Sequence, residues 1–553
     1  MQRNECIIQH KKMEIILKEK KVYKWFYDKG VYFTGYFFYK DSLYNELNAC
    51  KKILEINSYE EFKIFVKGLN GCFSIIKKKD NEIWAAVDRG RSMSLFYSID
   101  LRILSDSSSI IKNFLNLNES DVDIVRLVEF VAGEYVSGNN TVFQSIKQLN
   151  AAQTCLIKDS TIQLDDYYYH FSKPSESNKE ILFDKFYEIA KQAIERILKV
   201  AKNRPIVLSL SGGYDSRFIA CMLKECGVDN VSCYTYGKEG SFEVEMSKKV
   251  ADSLGYRWKN IEYDEKMAEI ILNANDYWDY SESYDYSIYL QNFYAVYCLE
   301  QEKWFLPNSV FVTGLCGDMP TGYYIPNENE FNFPLSKKQI ADYLINKRFQ
   351  RFKLDSKVKE KFKEEVLDQI NKLQLKSETF QDFVSILDAI ETIGDHSRRF
   401  LKMNNVHEFF GYEWLLPFWD NDLLDFLYGV PAHLRFKQNF YEEWLMIRLF
   451  NKYSLDIKKK VIRYSNNKLI NKITYTLGGI MAYFFYNLKI PIKRKFDINN
   501  FAQTELLLFK KIKEKKSLNY RRLGLNMLLT YYCCEKYYGA NSIKNTHKYL
   551  RNN

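Results

Sequence analysis

A segment with the sequence Ser-Gly-Gly-Tyr-Asp-Ser-Arg, residues 211–217, is the part of this chain best suited to chemistry on a nucleotide. It directly follows an apolar run at residues 205–210. Gly212 and Gly213 let the backbone approach a ligand closely and adopt conformations that other residues resist. A helix that begins after this turn points its free N–H groups at the ligand, which suits an anion. The segment therefore predicts a phosphate-binding loop between a strand and a helix.

Three polar side chains define the chemistry that this loop could support. Ser211 and Ser216 supply hydroxyl groups for a phosphate. Asp215 is poorly placed beside bare phosphates, so we expect a Mg²⁺ ion to bridge its carboxylate and the phosphates. No Lys follows the glycines in the order of a Walker loop, which excludes that class. The alternative is a plain strand–turn–helix connection in which Ser or Asp only caps the helix.

A second motif lies further along the chain, where residues 312–323 read Val-Thr-Gly-Leu-Cys-Gly-Asp-Met-Pro-Thr-Gly-Tyr. The loop at residues 211–217 resembles the pyrophosphate loop of ATP pyrophosphatases. The second motif resembles a segment of the asparagine synthetase family, Ser-Gly-Glu-Gly-x-Asp-Glu followed by Gly-Tyr. The resemblance implies that Thr313 and Gly314 contact adenosine and that Asp318 holds a second Mg²⁺. A Gly-containing turn at a strand end is the alternative.

The resemblance implies ATP and Mg²⁺ as cofactors and a set of site residues. Residues 234–237, Tyr-Thr-Tyr-Gly, end a predicted strand where the family contacts adenine through backbone groups. The implied nucleotide-binding residues are Ser209, Ser211, Gly212, Gly213, Asp215, Ser216, Tyr236, Thr313 and Gly314. The implied catalytic residues are Ser211, Asp215, Asp318, Asp395 and Glu413, with Asp215 and Asp318 as the metal ligands.

A third stretch, residues 409–422, resembles the family pattern Gly-x-Glu-x-Arg-x-Pro-Phe-x-Asp. Glu413 matches the Glu of this pattern, whereas Leu415 stands where the family has Arg. The preceding helix resembles the substrate-side helix of the family, on which an acidic residue, here Asp395, faces the substrate pocket. A structural acid paired with a neighbour is the alternative for Glu413.

Two departures from the family pattern fall within the motifs of the synthetase site. Leu315 and Met319 replace the two Glu residues of the second motif. Some relatives that act on substrates other than aspartate also lose the first Glu, so the resemblance allows an altered substrate. The late catalytic Lys of the family has only positional candidates, at residues 458–460.

The first third of the chain follows the order of the glutaminase half of the family. Residues 70–76, 88–97 and 105–110 resemble its motifs in turn. Glutamine-using members begin Met-Cys-Gly and expose an N-terminal Cys nucleophile. This chain begins Met-Gln-Arg-Asn-Glu-Cys, which places Cys6 inside the chain. We therefore expect a degenerate domain that does not hydrolyse glutamine.

Strands and helices must position these residues, and their pattern predicts an α/β protein. Strand-like runs at residues 31–38, 71–76 and 82–87 predict a β-rich first third with a hairpin. Beyond a polar, Pro-containing linker at residues 170–178, helices and strands alternate, which predicts a doubly wound parallel sheet. A mainly helical pattern follows residue 335.

The resemblance gives these three parts their identities and bounds. Residues 1–175 form a degenerate N-terminal-nucleophile, glutaminase-like α+β domain. Residues 176–460 form an asparagine synthetase-like ATP-pyrophosphatase domain, and residues 461–553 form a helical C-terminal extension.

The bulk composition narrows the function classes further. The 553 residues carry a formal net charge of +10, which fits handling of a polyanion such as ATP, although a solvated basic surface explains it equally well. No zinc-finger, helix-turn-helix or RNA-sheet signature indicates a nucleic-acid binder. The Cys residues show no CxxC pairs, which favours a reduced cytoplasmic compartment. The apolar run at residues 473–488 is too short to span a bilayer, and a buried helix or a membrane-surface helix would explain it.

The function that these features predict is an ATP-dependent amide-forming ligase. It adenylates a small-molecule carboxylate, and ammonia or an amine then attacks the acyl adenylate. One alternative is an amidotransferase that acts on a sugar uronate in surface-polysaccharide biosynthesis. Another is a non-catalytic nucleotide-binding scaffold. The resemblance also allows a separate glutaminase partner and a homodimer.

Overall fold

The computed structural model describes residues 13–171, 174, 176–264, 266–455, 501–513 and 525–552. The sequence predictions for Cys6, for residues 458–460 and for residues 473–488 therefore lie outside the described residues. Within the described residues, no helix has the length and apolar character needed to cross a membrane.

The first part of the chain is rich in antiparallel strands. Its strands are β1 (Glu14–Ile15), β2 (Phe26–Asp28), β3 (Val31–Tyr39), β4 (Ser42–Asn45), β5 (Asn70–Lys79), β6 (Glu82–Val87), β7 (Phe96–Ser98), β8 (Ile103–Ser105), β9 (Ile146–Gln148), β10 (Gln153–Lys158) and β11 (Thr161–Asp166). Its helices are α1 (Glu46–Leu54), α2 (Tyr59–Lys67), α3 (Ser108–Phe114), the 3₁₀ turn Glu119–Asp121 and α4 (Ile124–Gly133).

These strands form two sheets that pack in layers. A seven-stranded sheet has the order β11-β10-β6-β5-β3-β2, with β4 paired to β3, and a four-stranded sheet has the order β1-β8-β7-β9. One apolar cluster joins the larger sheet to α1 and α2, and another, which includes Val87 and Leu104, lies between the two sheets. The predicted β5–β6 hairpin is confirmed. The likeness of this part to a glutaminase stays a prediction.

The middle of the chain alternates helices and strands. Its elements are α5 (Lys179–Ala201), β12 (Ile206–Ser209), α6 (Tyr214–Glu225), β13 (Val231–Tyr236), α7 (Phe242–Leu254), β14 (Arg257–Ile261), α8 (Lys266–Asn273), α9 (Asn275–Tyr280), α10 (Phe293–Gln301), β15 (Val310–Val312), α11 (Asp318–Thr321), the 3₁₀ turn Glu328–Glu330, α12 (Lys337–Arg348), β16 (Phe352–Leu354), α13 (Ser356–Lys372), α14 (Phe380–Glu391), a π-helical segment (Thr392–Phe400), a 3₁₀ turn (Leu401–Asn404), α15 (Asn405–Phe410) and β17 (Trp414–Leu415).

Five of these strands form one parallel sheet, as the sequence predicts. Its order is β14-β13-β12-β15-β17, and each neighbouring pair is parallel. Strand order along the chain reverses at β12, so a switch point lies between β12 and β15. Ligands of open α/β sheets bind outside the carboxyl ends of the strands at such a point. The loops after β12 and β15 are the two motifs that the sequence singles out.

Helices dominate the rest of the described chain. They are the 3₁₀ turn Pro417–Trp419, α16 (Asn421–Gly429), α17 (Ala432–Arg435), the 3₁₀ turn Phe436–Gln438, α18 (Asn439–Trp444), a second π-helical segment (Leu445–Phe450), the 3₁₀ turn Asn451–Tyr453, α19 (Ala502–Lys511), α20 (Leu525–Tyr538) and α21 (Ala540–Thr546). The last strand, β18 (Leu550–Asn552), pairs antiparallel with β16.

The described C-terminal helices share the large apolar core with the rest of the molecule. The hydroxyls of Tyr537 and Tyr538 donate to the carbonyl oxygens of Trp278 and Ser283, at 2.8 and 3.0 Å. The described part of the C-terminal region is therefore packed onto the body of the protein. Its status as a separate extension stays a prediction.

Candidate active site

The loop between β12 and α6 is held by its own serines. The Ser211 N–H donates to Ser216 Oγ at 3.0 Å, and the two Oγ atoms also lie 3.0 Å apart. The Gly213 N–H donates to Ser211 Oγ at 3.1 Å. Gly213 is the N-cap of α6, so the predicted order of strand, turn and helix is confirmed. A ligand at this turn would lie at the N-terminus of a twelve-residue helix, which favours an anion.

Arg217 fixes the loop from behind and was not assigned a role from the sequence. Its guanidinium is fully buried, and it donates to the carbonyl oxygens of Gly213 and Gly212, at 3.3 Å each. Burial lowers the pKa of Arg217 from its ordinary value, but an arginine stays charged at neutral pH. Arg217 therefore satisfies both glycine carbonyls and holds the loop in one conformation.

The second loop packs directly against the first. A Cβ atom on Gly314 would lie 3.1 Å from the Ser216 backbone nitrogen. A Cβ atom on Gly317 would lie 2.6 Å from Cγ of Asp215. The Gly317 backbone is helical, with φ −64° and ψ −33°, so space and not conformation requires glycine there. The structure thus brings the Asp215 carboxylate against the residue that precedes Asp318.

Asp318 begins the short helix α11 and faces two side chains from α18 and the turn before it. Gln438 Nε2 lies 3.5 Å from Asp318 Oδ1 and donates to Thr321 Oγ1 at 2.7 Å. Burial, together with the nearby carboxylates of Asp215 and Asp318, raises the pKa of Tyr441 well above its ordinary value. Tyr441 therefore lies close to both acids and stays protonated at neutral pH.

Two neighbouring carboxylates fit a Mg²⁺ ion, which proteins bind through one or two carboxylates and the phosphates of a substrate. Burial raises the pKa of Cys316 in the second loop, and the negative charges of Asp395, Asp318 and Asp215 act in the same direction. Among the described residues, no group of three or more His, Cys, Asp and Glu residues could hold a metal by itself. The donor set therefore suits an ion that phosphates also bind.

A small cavity of about 70 Å³ lies beside Asp318. Met319 and Tyr324 form one side of it, and Lys347, Glu391 and Asp395 contribute charged groups. Lys347 Nζ lies 2.9 Å from Glu391 Oε1. The sequence places Asp395 in a substrate pocket, and the structure puts it in the lining of this cavity.

The wall of the cavity that holds Asp395 is a π-helical segment. Such segments are rare and occur often at functional sites. Asp395 lies 2.7 Å from Arg399 Nε, and the positive charge of Arg399 keeps the pKa of Asp395 below its ordinary value despite the burial. His396 follows on the same segment, and burial lowers its pKa, so the imidazole is neutral at pH 7. His396 was not assigned a role from the sequence.

The backbone of the second loop is strained at one residue. Cys316 has φ 71°, in the left-handed region that favours glycine, and it stands where the family motif has Gly. A residue with a side chain therefore adopts a backbone conformation there that glycine adopts more easily.

The predicted adenosine contacts lie at the carboxyl ends of three neighbouring strands. Ser209 ends β12, Tyr236 ends β13, and Thr313 and Gly314 follow β15. Thr313 is buried, and its Oγ1 lies 3.4 Å from Asn404 Oδ1. The Tyr236 ring stacks on Tyr263 with centroids 4.8 Å apart. The structure brings these residues to the edge where both loops lie, and their contacts with a nucleotide stay a prediction.

Glu413 is the one predicted catalytic residue that the structure does not bring to this edge. It directly precedes β17, and its carbonyl accepts from the Phe311 N–H at 2.8 Å. Its carboxylate lies 2.5 Å from Arg204 Nη2, which precedes β12. Both residues lie at the amino end of the sheet, roughly 10–17 Å along the strands from the two loops at about 3.3 Å per residue. The position corrects the sequence-based expectation, so we leave Glu413 out of the catalytic set.

Comparison with known proteins gives a family match and a likeness to a solved structure. A family model described as asparagine synthase matches residues 187–464, about half of the chain. No curated protein matches the chain. Among solved structures, it is similar to an NH3-dependent NAD synthetase from Campylobacter jejuni subsp. jejuni NCTC 11168, in complex with the nitrate ion. That similarity has 16% identity and a TM-score of 0.22, and it covers 39% of this chain and 95% of that chain. A likeness at this TM-score carries no argument.

The family match includes the loop after β12, the second loop and the cavity wall. Members of such a family are carbon–nitrogen ligases that use ATP. The chain belongs to the asparagine synthase family.

Proposed function

We propose that this chain adenylates a carboxylate with ATP, releases pyrophosphate and then forms an amide with release of AMP. One observation carries the proposal. The Asp215 carboxylate packs against Gly317, the residue before Asp318, at the switch point of the parallel sheet. Two like charges held together beside a helix N-terminus suit a polyphosphate with its metal.

In the first step, a carboxylate oxygen attacks the α-phosphorus, and the bond to the bridging oxygen of pyrophosphate breaks. Ser211, Ser216 and the N–H groups at the start of α6 bind the departing pyrophosphate. Asp215 and Asp318 are the residues that hold Mg²⁺, which when bound neutralises charge on the phosphates. Most of the acceleration comes from positioning and from charge stabilisation.

In the second step, the nitrogen of ammonia or an amine attacks the acyl carbon, and AMP leaves with the electron pair of the broken carbon–oxygen bond. The cavity beside Asp318 binds the acyl part, and Asp395 orients it. Leu315 and Met319 replace two acids of the family motif, which favours a carboxylate other than aspartate. A sugar uronate is the substrate class that we propose as the alternative to aspartate.

The ammonia does not come from the N-terminal part in this proposal. The nitrogen comes from free ammonia, from an amine or from a separate glutaminase.

A non-catalytic nucleotide-binding scaffold is the second candidate. The same two apolar residues, Leu315 and Met319, favour it, because they remove two acids from the motif while the loop shapes remain. The scaffold binds MgATP but does not activate any carboxylate.

ATP–pyrophosphate exchange with a panel of carboxylates tests the proposal. The panel contains aspartate, glutamate, glucuronate and galacturonate. We expect exchange with at least one of them, and loss of that exchange in the double variant Ser211→Ala, Asp215→Ala. Exchange that survived the double change would contradict the site assignment. MgATP binding without exchange on any carboxylate would favour the scaffold.

A further inference from the structure

Asn260 lies at the carboxyl end of β14, beside the turn that follows β13. The two strands are parallel, and Asn260 is the register partner of Thr235. Asn260 Nδ2 donates to the carbonyl oxygen of Gly237 at 3.5 Å. The side chain therefore reaches the backbone of the turn where the family resemblance implies contacts with adenine.

The nitrogen and the oxygen of this side-chain amide differ in their hydrogen bonding. Nδ2 is bonded to Gly237, whereas Oδ1 is buried and has no hydrogen-bond partner among the described residues. A flip of the amide would place Oδ1 against the Gly237 carbonyl oxygen, and two acceptors repel each other. The bond to Gly237 thus fixes Oδ1 as an acceptor. A buried acceptor without a partner is costly, which points to a donor on a ligand.

The turn that holds Asn260 is itself well fixed. The Gly237 N–H donates to the Ile261 carbonyl oxygen at 3.1 Å, which ties the end of β13 to β14. The Tyr236 ring stacks on the buried Tyr263 ring at an interplanar angle of 5°. The acceptor is therefore held at a constant place relative to the backbone that follows β13.

We propose that Asn260 Oδ1 accepts a hydrogen bond from the 6-amino group of adenine and selects ATP over nucleotides with a 6-oxo group. The inference rests on the proposed function and on the adenine contact that the resemblance implies at the end of β13. Adenine presents a donor at C6, whereas hypoxanthine and guanine present an acceptor there. An oxygen facing Oδ1 would leave both acceptors unsatisfied, and sites built for a hydrogen bond reject such ligands strongly.

Equilibrium binding of MgATP and MgITP to the full chain tests this inference without any carboxylate. ITP differs from ATP at C6 of the base, so the pair isolates this contact. We expect the wild type to bind MgATP at least about tenfold more tightly than MgITP, the scale of one hydrogen bond that is made or left unsatisfied. In Asn260→Leu, which has similar volume and no acceptor, the two affinities should agree within about twofold.

A second variant separates the acceptor from the side-chain volume. Asn260→Gln keeps both the amide donor and the amide acceptor, so it should keep a preference for MgATP, and thermal unfolding of each variant checks that it is folded. Equal affinities in the wild type, or an unchanged preference in Asn260→Leu, would overturn the role of Asn260 while leaving the proposed function intact. If neither MgATP nor MgITP bound to the chain, both the role of Asn260 and the proposed function would be overturned.

Discussion

The acidic residues at the two ends of the parallel sheet have different neighbours. At one end they lie near each other, and at the other end an acid is paired with an arginine. At the carboxyl end, Asp215 and Asp318 lie on either side of Gly317, and each influences the pKa of Tyr441. At the amino end, Glu413 is paired with Arg204. Like charges brought together cost free energy unless a cation binds between them, whereas an ion pair needs no ligand.

This difference separates a site from a structural contact. The amino-end pair joins the start of β12 to the start of β17, two strands that are not neighbours in the sheet. The carboxyl-end acids instead come from loops that leave the sheet at its switch point. Changes at the carboxyl end should therefore affect catalysis, and changes at the amino end should affect stability.

The largest expected effect is that of Asp318→Asn. The change removes one of the two charges that hold the metal, so exchange should fall by at least about a hundredfold. The measurement is the ATP–pyrophosphate exchange rate at saturating ATP, with the exposed Asp252→Asn as the control. A loss of less than about threefold would place the metal elsewhere.

A somewhat smaller effect is expected for Gly317→Ala. The added Cβ would lie 2.6 Å from Asp215 Cγ, so the carboxylate must shift. A displacement of about 1 Å can cost roughly a hundredfold in rate, and we expect a loss between ten- and a hundredfold. Gly429→Ala is the matched control, because no atom lies within 4 Å of its added Cβ. Equal exchange rates in Gly317→Ala and Gly429→Ala would show that the position of Asp215 beside Gly317 does not matter for catalysis.

Tyr441→Phe should have a moderate effect, about three- to tenfold on exchange, the scale of one hydrogen bond. Because burial and the two acids raise the pKa of Tyr441, the phenol stays protonated across the working range. The wild type and the variant should therefore share the same pH profile between pH 7 and pH 9. An alkaline limb present only in the wild type would show that the phenol ionises.

The smallest effect on exchange is expected for Glu413→Gln, which should leave the rate within about twofold. The ion pair with Arg204 is about one-third exposed, so its loss should lower the free energy of unfolding by about 0.2–1 kcal/mol. Urea unfolding of Glu413→Gln, Arg204→Met and the double variant measures the coupling. A large loss of exchange with normal stability would return Glu413 to the catalytic set.

Much of the fold could be predicted because local patterns determine it. The strand that begins at Val31 and the hairpin of β5 and β6 lie where the sequence places them. Ser58 caps α2 by accepting a hydrogen bond from the Glu61 N–H. In each case the signal lies within a few neighbouring residues, either as an apolar run or as a cap.

The parts of the site that could not be predicted depend on distant segments. Gln438 and Tyr441 lie near Asp318 although they follow it by well over a hundred residues in the sequence, and no local sequence pattern predicts such proximity. The error over Glu413 has a related cause. A motif match identifies a residue type, but only the register of β17 against β15 shows at which end of the sheet that residue lies.

The ribbon formed by β16 and β18 has a consequence for the order in which parts of the chain fold during synthesis. It pairs Phe352 with Asn552 and Leu354 with Leu550, across a long stretch of chain. The hairpins of the N-terminal sheet join neighbouring segments and can form while the ribosome is still making the rest. The ribbon can close only after residue 552 has left the ribosome, so vectorial synthesis makes it form later than those hairpins.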